Sequence, residues 1–471
     1  MRVESIIVLN DFCHAQGGAS RVAIDEAIAL RATGARVGFL GAVGPICREL
    51  RAGDVSVLCL DQPELADAVR HPRAAARPLW NQPAYRAMQS MLGPLDRRRT
   101  IVHLHGYTKA LSTAPAVAAR HAGFATICTL HDFFAACPNG AFYNYREQAP
   151  CTLRALSPRC LVTACDKRHP VHKAYRILRG AVQRHVARFP SDIEDYIALS
   201  RRSATLLRPY LPPNARLHPL ANIIDVAHAP PADPGANRPL MVVGRLDEEK
   251  GVLLAAQAAA SIGLPIVFVG DGPLRSQIEN TGARVTGWLA APDVRRELDA
   301  ARCLVFPSLW YETFGLVVTE AAARGVPAIV SDVSAPADRV IDGRTGWIFR
   351  AGDLEDLVAR MAITRADSAV RAAGAAAYRE YWTDPEEPGR HAERLLSIYA
   401  GILSDHARAA PSDDRACAVN SAKASDIVIA SSPRQSMNFV PPTDVVARAR
   451  AAADPNQPTA SQFRINGKSS R

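Results

Sequence analysis

Short apolar runs alternate with longer, helix-patterned stretches from the start of the chain. SIIVLN (5–10) precedes a helical segment from Ser20 to Arg31, and ARVGFL (35–40), TIVHLH (100–105) and TICTLH (126–131) repeat the strand signal. This alternation predicts a parallel sheet with helices on both faces. The rhythm pauses near residue 133. Residues 133–172 hold Pro, Asn, Cys and aromatics without a period and read as an insertion in one βα loop, before a helix over about 173–188 and the strand YIALS (196–200). A Pro-rich stretch, Pro230 to Gly235, reads as a linker. A second series follows at once: PLMVVGRL (239–246), a helix from Gly251, PIVFVGDG (265–272), a helix from Leu274, RVTGWL (284–289), a helix from Asp293, CLVFPS (303–308), a helix from about Phe314, and PAIVSD (327–332).

The pattern divides the chain into a first domain over 1–225, a linker over 226–237 and a second domain over 238–384. A C-terminal helix over 385–404 is expected to return to the first domain. The tail over 405–471 is rich in Ala, Ser, Pro and Asp with few aromatics, which predicts disorder. Two doubly wound α/β halves in succession predict a cleft between them, with ligands at the carboxyl ends of the strands.

Composition changes this picture little. At 48% hydrophobic and 22% charged residues, a wholly disordered or fibrous chain is excluded. The net charge is +10, yet only six of the 56 basic residues are Lys, so the excess of Arg reflects codon usage as much as a polyanionic partner. No helix-turn-helix, finger or RNP-like motif accompanies the charge, and nucleic acid is not expected as a partner. The first apolar run, Ile6 to Leu9, is followed by Asn10 and Asp11, which is the pattern of neither a signal peptide nor an anchor. The longest aliphatic stretch, Val252 to Val269, is broken by Gln257, Ser261, Gly263 and Pro265. These features predict a cytoplasmic protein whose ten Cys stay reduced.

Candidate chemistry concentrates in ETFGLVVTEAAARGVPAIVSD, from Glu312 to Asp332. Glu312 and Glu320 flank Phe314-Gly315-Leu316 at the expected start of a helix, where free backbone N–H groups form an anion site and Gly315 permits close approach of a phosphate. The strand PLMVVGRL ends in Gly244-Arg245, and Lys250-Gly251 follows, so two cations stand at the edge of the same cleft and can neutralise a diphosphate without a metal. No Asp-x-Asp occurs, in keeping with a metal-independent site.

GRLDEEKG, VGDGPL, PSLWYETFGLVVTEAAARGVPAIVSD and DGRTGWIF resemble the nucleotide-binding half of retaining GT-B glycosyltransferases, the group similar to glycogen synthases and bacterial mannosyltransferases. In layout the resemblance covers about residues 1–400, and its motifs are specific from Gly244 to Gly346. It implies a GT-B fold of two Rossmann-like domains. It also implies that Glu312 contacts sugar hydroxyls, Glu320 the ribose, Arg245 and Lys250 the diphosphate, and the Gly315-Leu316 backbone a phosphate or the sugar. Family members carry a Gly-Gly loop after the first strand, matched by Gly17-Gly18, and a His just past a later strand near the reacting sugar, matched by His131; His105 reads more readily as structural. The family's Asn-Gly-Ile-Asp at the domain junction is Asn222-Ile223-Ile224-Asp225 here. The implied reaction moves a hexose-type sugar from a nucleoside diphosphate-sugar to a glycan or lipid-linked acceptor with retention, in surface polysaccharide or glycolipid synthesis. A nucleotide-sugar-binding protein without turnover, or an epimerase on the same fold, is the alternative.

The insertion carries Cys137, Cys151, Cys160 and Cys165, four thiols in 29 residues. A structural zinc suits such a set, although the spacing lacks tight C-x2-C pairs, and buried free thiols are the alternative. HDFFAACPNGAFYNY with its downstream cysteines resembles a subset of bacterial glycosyltransferases linked to surface polysaccharides. From Arg146 to Arg184 basic residues outnumber acidic ones nine to two. Lys167, Arg168, Lys173 and Arg176 in this stretch are expected to face either an anionic membrane surface or a lipid-linked diphosphate, or simply solvent.

Overall fold

The computed structural model describes residues 2–69, 73–167 and 169–409. Its first sheet contains β1 (Ser5–Phe12), β2 (Arg36–Val43), β3 (Ser56–Cys59), β4 (Thr100–Leu104) and β5 (Ala125–Thr129). A small hairpin, β6 (Tyr143–Asn144) and β7 (Ala149–Pro150), precedes its last two strands, β8 (Asp195–Ala198) and β9 (Arg216–Pro219). The second sheet is built of β10 (Leu240–Val243), β11 (Ile266–Val269), β12 (Arg284–Val285), β13 (Cys303–Phe306), β14 (Ala328–Ser331) and β15 (Gly346–Phe349).

The strand orders are β3-β2-β1-β4-β5-β8-β9 and β12-β11-β10-β13-β14-β15, with every pairing in both sheets parallel. Ile7 in β1 lies between Gly38 of β2 and Val102 of β4, and Met241 in β10 lies between Val267 of β11 and Leu304 of β13. The order reverses beside β1 and again beside β10, and each reversal opens a crevice at the strands' carboxyl ends. Helices cover both faces, so the central strands are apolar at nearly every position and all eight residues of β1 are buried.

Each half thus has the doubly wound architecture that the alternation predicts. RVTGWL pairs over only Arg284–Val285, because Gly287 has φ +75° and turns the chain after a single isolated bridge to Gly270. The expected helix over about 173–188 is Pro170–His185, started early by Pro170 with His169 as its cap. It is inverted: Lys173, Arg179 and Gln183 are buried, whereas Val171, Ala174 and Leu178 are exposed. The last helix, Pro388–Ala409, packs on the first helix, Gly18–Ala32, and buries Tyr399 and His391 there. It includes residues 405–409, where the tail was expected to begin; the remainder of that tail and Arg168 lie outside the described residues. Among the described residues no helix is long and apolar enough to cross a membrane.

Candidate active site

The carboxyl ends of β10 and β13 supply the charged part of the cleft. Gly251 leaves β10's loop with φ +64°, and an added Cβ would lie 2.0 Å from the Pro307 carbonyl oxygen, so only glycine lets the Lys250 turn sit against the loop after β13. There Lys250 Nζ pairs with Glu312 Oε1. The same oxygen accepts from Trp310 Nε1 at 2.8 Å and Ser308 Oγ at 2.9 Å. Lys250 also lies 5.3 Å from the centre of the Trp310 ring. Three donors on one oxygen fix the Glu312 carboxylate while its second oxygen stays outside these bonds.

Arg245 is differently placed. Its guanidinium lies 2.9 Å from Asp247 and 3.6 Å from Glu249, both buried. Lys167, from the insertion of the other half, reaches the same two carboxylates at 2.9 and 3.1 Å. The sequence singled out Arg245 without its two acidic partners, although DEE precedes Lys250 in plain view.

Gly315 caps the helix Leu316–Ala323 with φ +83°, and an added Cβ would lie 2.3 Å from Pro336 Cγ. Phe314 beside it is buried with the Arg339 guanidinium 4.4 Å from its ring centre, so only its backbone, not its side chain, is available to a ligand. Across the cleft, Gly17 (φ +93°) caps the helix Gly18–Ala32, and an added Cβ on Gly18 would lie 3.3 Å from Leu316 Cδ1. Two helix N-termini from opposite halves therefore converge, each with free N–H groups and a positive dipole end. Glu320 lies further along the second of these helices. Burial raises its carboxyl above the usual range, against the opposing pull of Arg295 and Arg21.

His131 follows β5 and joins the halves: its carbonyl accepts the Thr313 hydroxyl at 2.9 Å, one residue from Glu312. Burial pushes its imidazole down to about 3, so it is neutral near pH 7. Its Nε2 lies 2.8 Å from His105 Nδ1, which makes His105 part of the same assembly. The loop after β4 is held by Asp11, whose carboxylate accepts four backbone N–H groups from Thr108 to Leu111 at 2.7 to 2.9 Å. Asp11, Glu26, His103, Trp310 and Thr313 escaped the sequence reading. The alternation of TIVHLH, which puts His103 of β4 and His105 just after it on the same side of the chain, was the available signal for the histidines.

In the insertion, Cys137, Cys160 and Cys165 are buried and Cys151 is half-buried, all as free thiols. Cys137 Sγ donates to Asn139 Oδ1 at 3.0 Å, Asn139 Nδ2 reaches the Tyr143 carbonyl at 2.8 Å, and Lys173 donates to the Cys160 and Thr163 carbonyls. Among the described residues, the set of three or more ligating side chains with donor atoms within 4.8 Å of one another is Glu26, His103 and His105, not the cysteines. Asn139 and Lys173 donate the hydrogen bonds that tie this part of the loop together.

Residues 237–367 match the family described as Glycosyl transferases group 1. Sulfoquinovosyl transferase SQD2 of Arabidopsis thaliana is 34% identical over 135 residues, 26% of this chain and 26% of its own length. Alpha-maltose-1-phosphate synthase of Mycolicibacterium smegmatis is 32% identical over 185 residues, 33% of this chain and 47% of its own. The chain thus spans about a quarter to a half of the length of these curated relatives. Sucrose-phosphate synthase from Thermosynechococcus elongatus superimposes with a TM-score of 0.62 at 15% identity, covering 85% of this chain and 100% of that one. Anabaena Alr3699/HepE, solved with UDP and glucose, gives 0.59 at 17%, covering 84% and 100%. The chain has the GT-B fold, two Rossmann-like parallel sheets like those of these glycosyltransferase structures, and its match to the group 1 glycosyl transferases lies in the second half, over residues 237–367.

Proposed function

We propose that the protein transfers a hexose-type sugar from a nucleoside diphosphate-sugar to a glycan or lipid-linked acceptor, with retention of anomeric configuration. The observation that carries this reading is the convergence of two helix N-termini, at Gly18 and Leu316, beside the Lys250–Glu312 pair. The N-termini suit the diphosphate. Lys250 and Arg245 supply positive charge as the departing diphosphate develops negative charge, an electrostatic contribution that is commonly the largest in catalysis. Arg245 can turn from Asp247 and Glu249 to the diphosphate because Lys167 stays to balance both carboxylates. Glu312 and His131 position the sugar, and Glu320 holds the ribose. Attack on the donor's own face, assisted by its phosphate, accounts for retention without a protein nucleophile.

A thermal-shift panel of UDP-, GDP- and ADP-sugars tests donor class, since a ligand at 100 times its Kd stabilises by about 2.7 kcal/mol. NMR of the product then gives the anomer. Stabilisation without turnover would favour the binding-protein alternative, and a new sugar formed without acceptor would favour an epimerase. The charge balance predicts that transfer survives EDTA; loss restored by Mg²⁺ or Mn²⁺ would overturn the metal-independent mechanism.

The inverted helix favours a second reading, that the acceptor is met at a membrane face. Val162 is 84% exposed, Val171 67% and Leu178 52%, and Arg146, Arg154 and Arg159 of the insertion are exposed as well. Three of the four cations first singled out are engaged elsewhere: Lys173 is buried, Arg176 pairs with Asp166 and Lys167 pairs across the cleft. Arg168 lies outside the described residues. Apolar side chains inserted beside exposed arginines suit an anionic bilayer surface. Flotation with anionic vesicles that is lost in Val162→Ser/Val171→Ser/Leu178→Ser supports this; flotation unchanged in that variant rejects it.

A further inference from the structure

Behind His131, buried side chains from distant parts of the chain meet at one point. Glu26 comes from the first helix, His103 from β4, His105 from the loop after it and His391 from the last helix. Glu26 Oε2 is 3.3 Å from His105 Nε2 and 3.8 Å from His103 Nδ1, and those two nitrogens are 3.2 Å apart. That carboxylate oxygen accepts no hydrogen bond, although Glu26 is only 2% exposed. An ionised carboxylate shut away from water is unfavourable unless positive charge or donors meet it. Among the described residues, the groups that pair with Glu26 are three histidines, with no Lys or Arg.

The spacing of the three inner atoms is that of a coordination shell. Zinc held tetrahedrally by nitrogen and oxygen at about 2.0–2.2 Å sets its ligand atoms about 3.3–3.6 Å apart. The observed 3.2, 3.3 and 3.8 Å bracket that range. Hydrogen bonding alone explains less, since a hydrogen between His105 Nε2 and His103 Nδ1 serves that pair and leaves Glu26 Oε2 without a donor. The outer atoms of the same residues are each held from behind. His103 Nε2 is 2.7 Å from the Thr129 hydroxyl, His105 Nδ1 is 2.8 Å from His131 Nε2, and Glu26 Oε1 is 3.0 Å from His391 Nε2. Metal-binding imidazoles and carboxylates are commonly oriented in this way, through the atom that faces away from the ion. On the remaining side stands the Tyr399 hydroxyl, 2.6 Å from His103 Nδ1.

We propose that Glu26 Oε2, His103 Nδ1 and His105 Nε2 bind one zinc ion, with the Tyr399 hydroxyl closing the fourth side. Two imidazoles and a carboxylate suit zinc, whereas magnesium and calcium take oxygen ligands. The charge of the ion offsets the buried carboxylate. The site is structural: Glu26, His103, His105 and Tyr399 are all buried, and an ion among them ties the first helix, β4, the loop after it and the last helix together behind the cleft. It takes no part in the transfer step and is independent of the transferase reading. Burial shields it from chelators in the folded protein, so the expected survival of transfer in EDTA is unchanged.

The test uses the full chain, free of any affinity tag and purified from medium with zinc sulfate as the only added metal. Plasma mass spectrometry counts the metal, and X-ray absorption at the zinc edge reads its neighbours. The expected result is one zinc per chain with nitrogen and oxygen neighbours at about 2.0–2.1 Å, distinct from sulfur at about 2.3 Å. Glu26→Gln, which keeps the shape and removes the charge, and His105→Asn should each lose this ion on dialysis. His391→Ala, which removes only the bond to the outer Glu26 oxygen, should weaken zinc affinity by about 10–100-fold. Protein prepared without zinc should melt below the zinc-loaded form, and this difference should vanish in Glu26→Gln. A cluster held by hydrogen bonds alone would contain no zinc and melt at the same temperature in both preparations. Should the variants fail to fold, the neighbour shell of the unsubstituted protein decides. Absence of zinc, zinc with sulfur neighbours only, which assigns the ion to the cysteines of the insertion, or an undiminished nitrogen and oxygen shell in folded Glu26→Gln overturns the proposal. A second zinc with sulfur neighbours, kept in Glu26→Gln while the first is lost, supports it.

Discussion

The two halves share one architecture and build their sites in opposite ways. In the second half the proposed site is local: Lys250, Trp310, Glu312, Gly315 and Glu320 lie in two loops and one helix, and Lys250 pairs with Glu312 at the rim of the cleft. In the first half it is assembled from afar: His131 is backed by His105, then by Glu26 on the first helix and His391 from the last. One half holds charge at its rim, and the other holds neutral imidazoles in its interior. The lesson is that equal folds give unequal acid sensitivity.

That contrast yields the largest expected effect. His103 and His105 are lowered well below their usual range by burial first and by neighbouring histidines second, and His131 is lowered to about 3 by burial. Each stays neutral in the folded protein while the unfolded chain takes up a proton near pH 6.5. Stability is therefore fully present above that pH and is lost as pH falls toward the folded values. From pH 7 to 5 His131 alone removes about 2 kcal/mol, and His103 and His105 act in the same direction. Asp132 opposes this: burial raises its carboxyl to about 6, so its contribution is lost as pH rises through 6, by about 1 kcal/mol over the same interval. Urea unfolding at pH 7 and 5 should show a net loss of stability at the lower pH, with hydrogen exchange placing the lost protection in the first sheet. Equal loss in both sheets would break the comparison.

Next in size are Lys250→Ala and Glu312→Gln, which act at the rim. Removing one preorganised charge from the reacting centre should lower kcat by about 10²–10³-fold with little change in melting temperature. Full activity in both folded variants would remove these residues from the site.

The same contrast explains what was legible in the sequence. The alternation of strand and helix showed both sheets, because a parallel sheet covered on both faces writes itself as apolar runs. Glu312, Gly315 and Glu320 could be singled out because they lie within nine residues around one helix start. Glu26 was not, since its position on an amphipathic helix reads as solvated until the last helix, more than 350 residues later in sequence, is seen to cover it. The inverted helix misled in the same way: Lys173 and Arg179 look like surface charges, yet they turn inward to donate to the carbonyls of Cys160, Thr163 and Thr108.

The two facing helix starts offer a finer test. An added Cβ on Gly315 meets Pro336 at 2.3 Å as well as a left-handed backbone, whereas one on Gly17 meets nothing within 4 Å. Gly17, at φ +93° and ψ −179°, lies in a backbone region essentially reserved for glycine, so Gly17→Ala should carry only the conformational penalty, about 1–3 kcal/mol. Gly315→Ala adds displacement of Pro336 or of the helix start, and should weaken donor binding more than Gly17→Ala does. Calorimetric titration of the two variants with the selected donor decides this, and equal affinities would mean that the second helix start does not touch the donor.

The smallest expected effect lies where the halves exchange charge. Lys167 is one-third exposed, and its partners Asp247 and Glu249 are buried. Surface ion pairs contribute about 0–1 kcal/mol, so Lys167→Ala alone should change stability by less than about 1 kcal/mol, because Arg245 still balances both carboxylates. Arg245→Ala should be similarly mild for stability, with Lys167 in place, while weakening donor binding. The double variant leaves two buried carboxylates without either cation, and its loss should exceed the sum of the single losses, as expected for groups that share partners. A double-mutant cycle in urea measures that excess directly. Additive losses would mean that the two cations do not substitute for one another, and Arg245 would then have no cause to leave its carboxylates for a diphosphate.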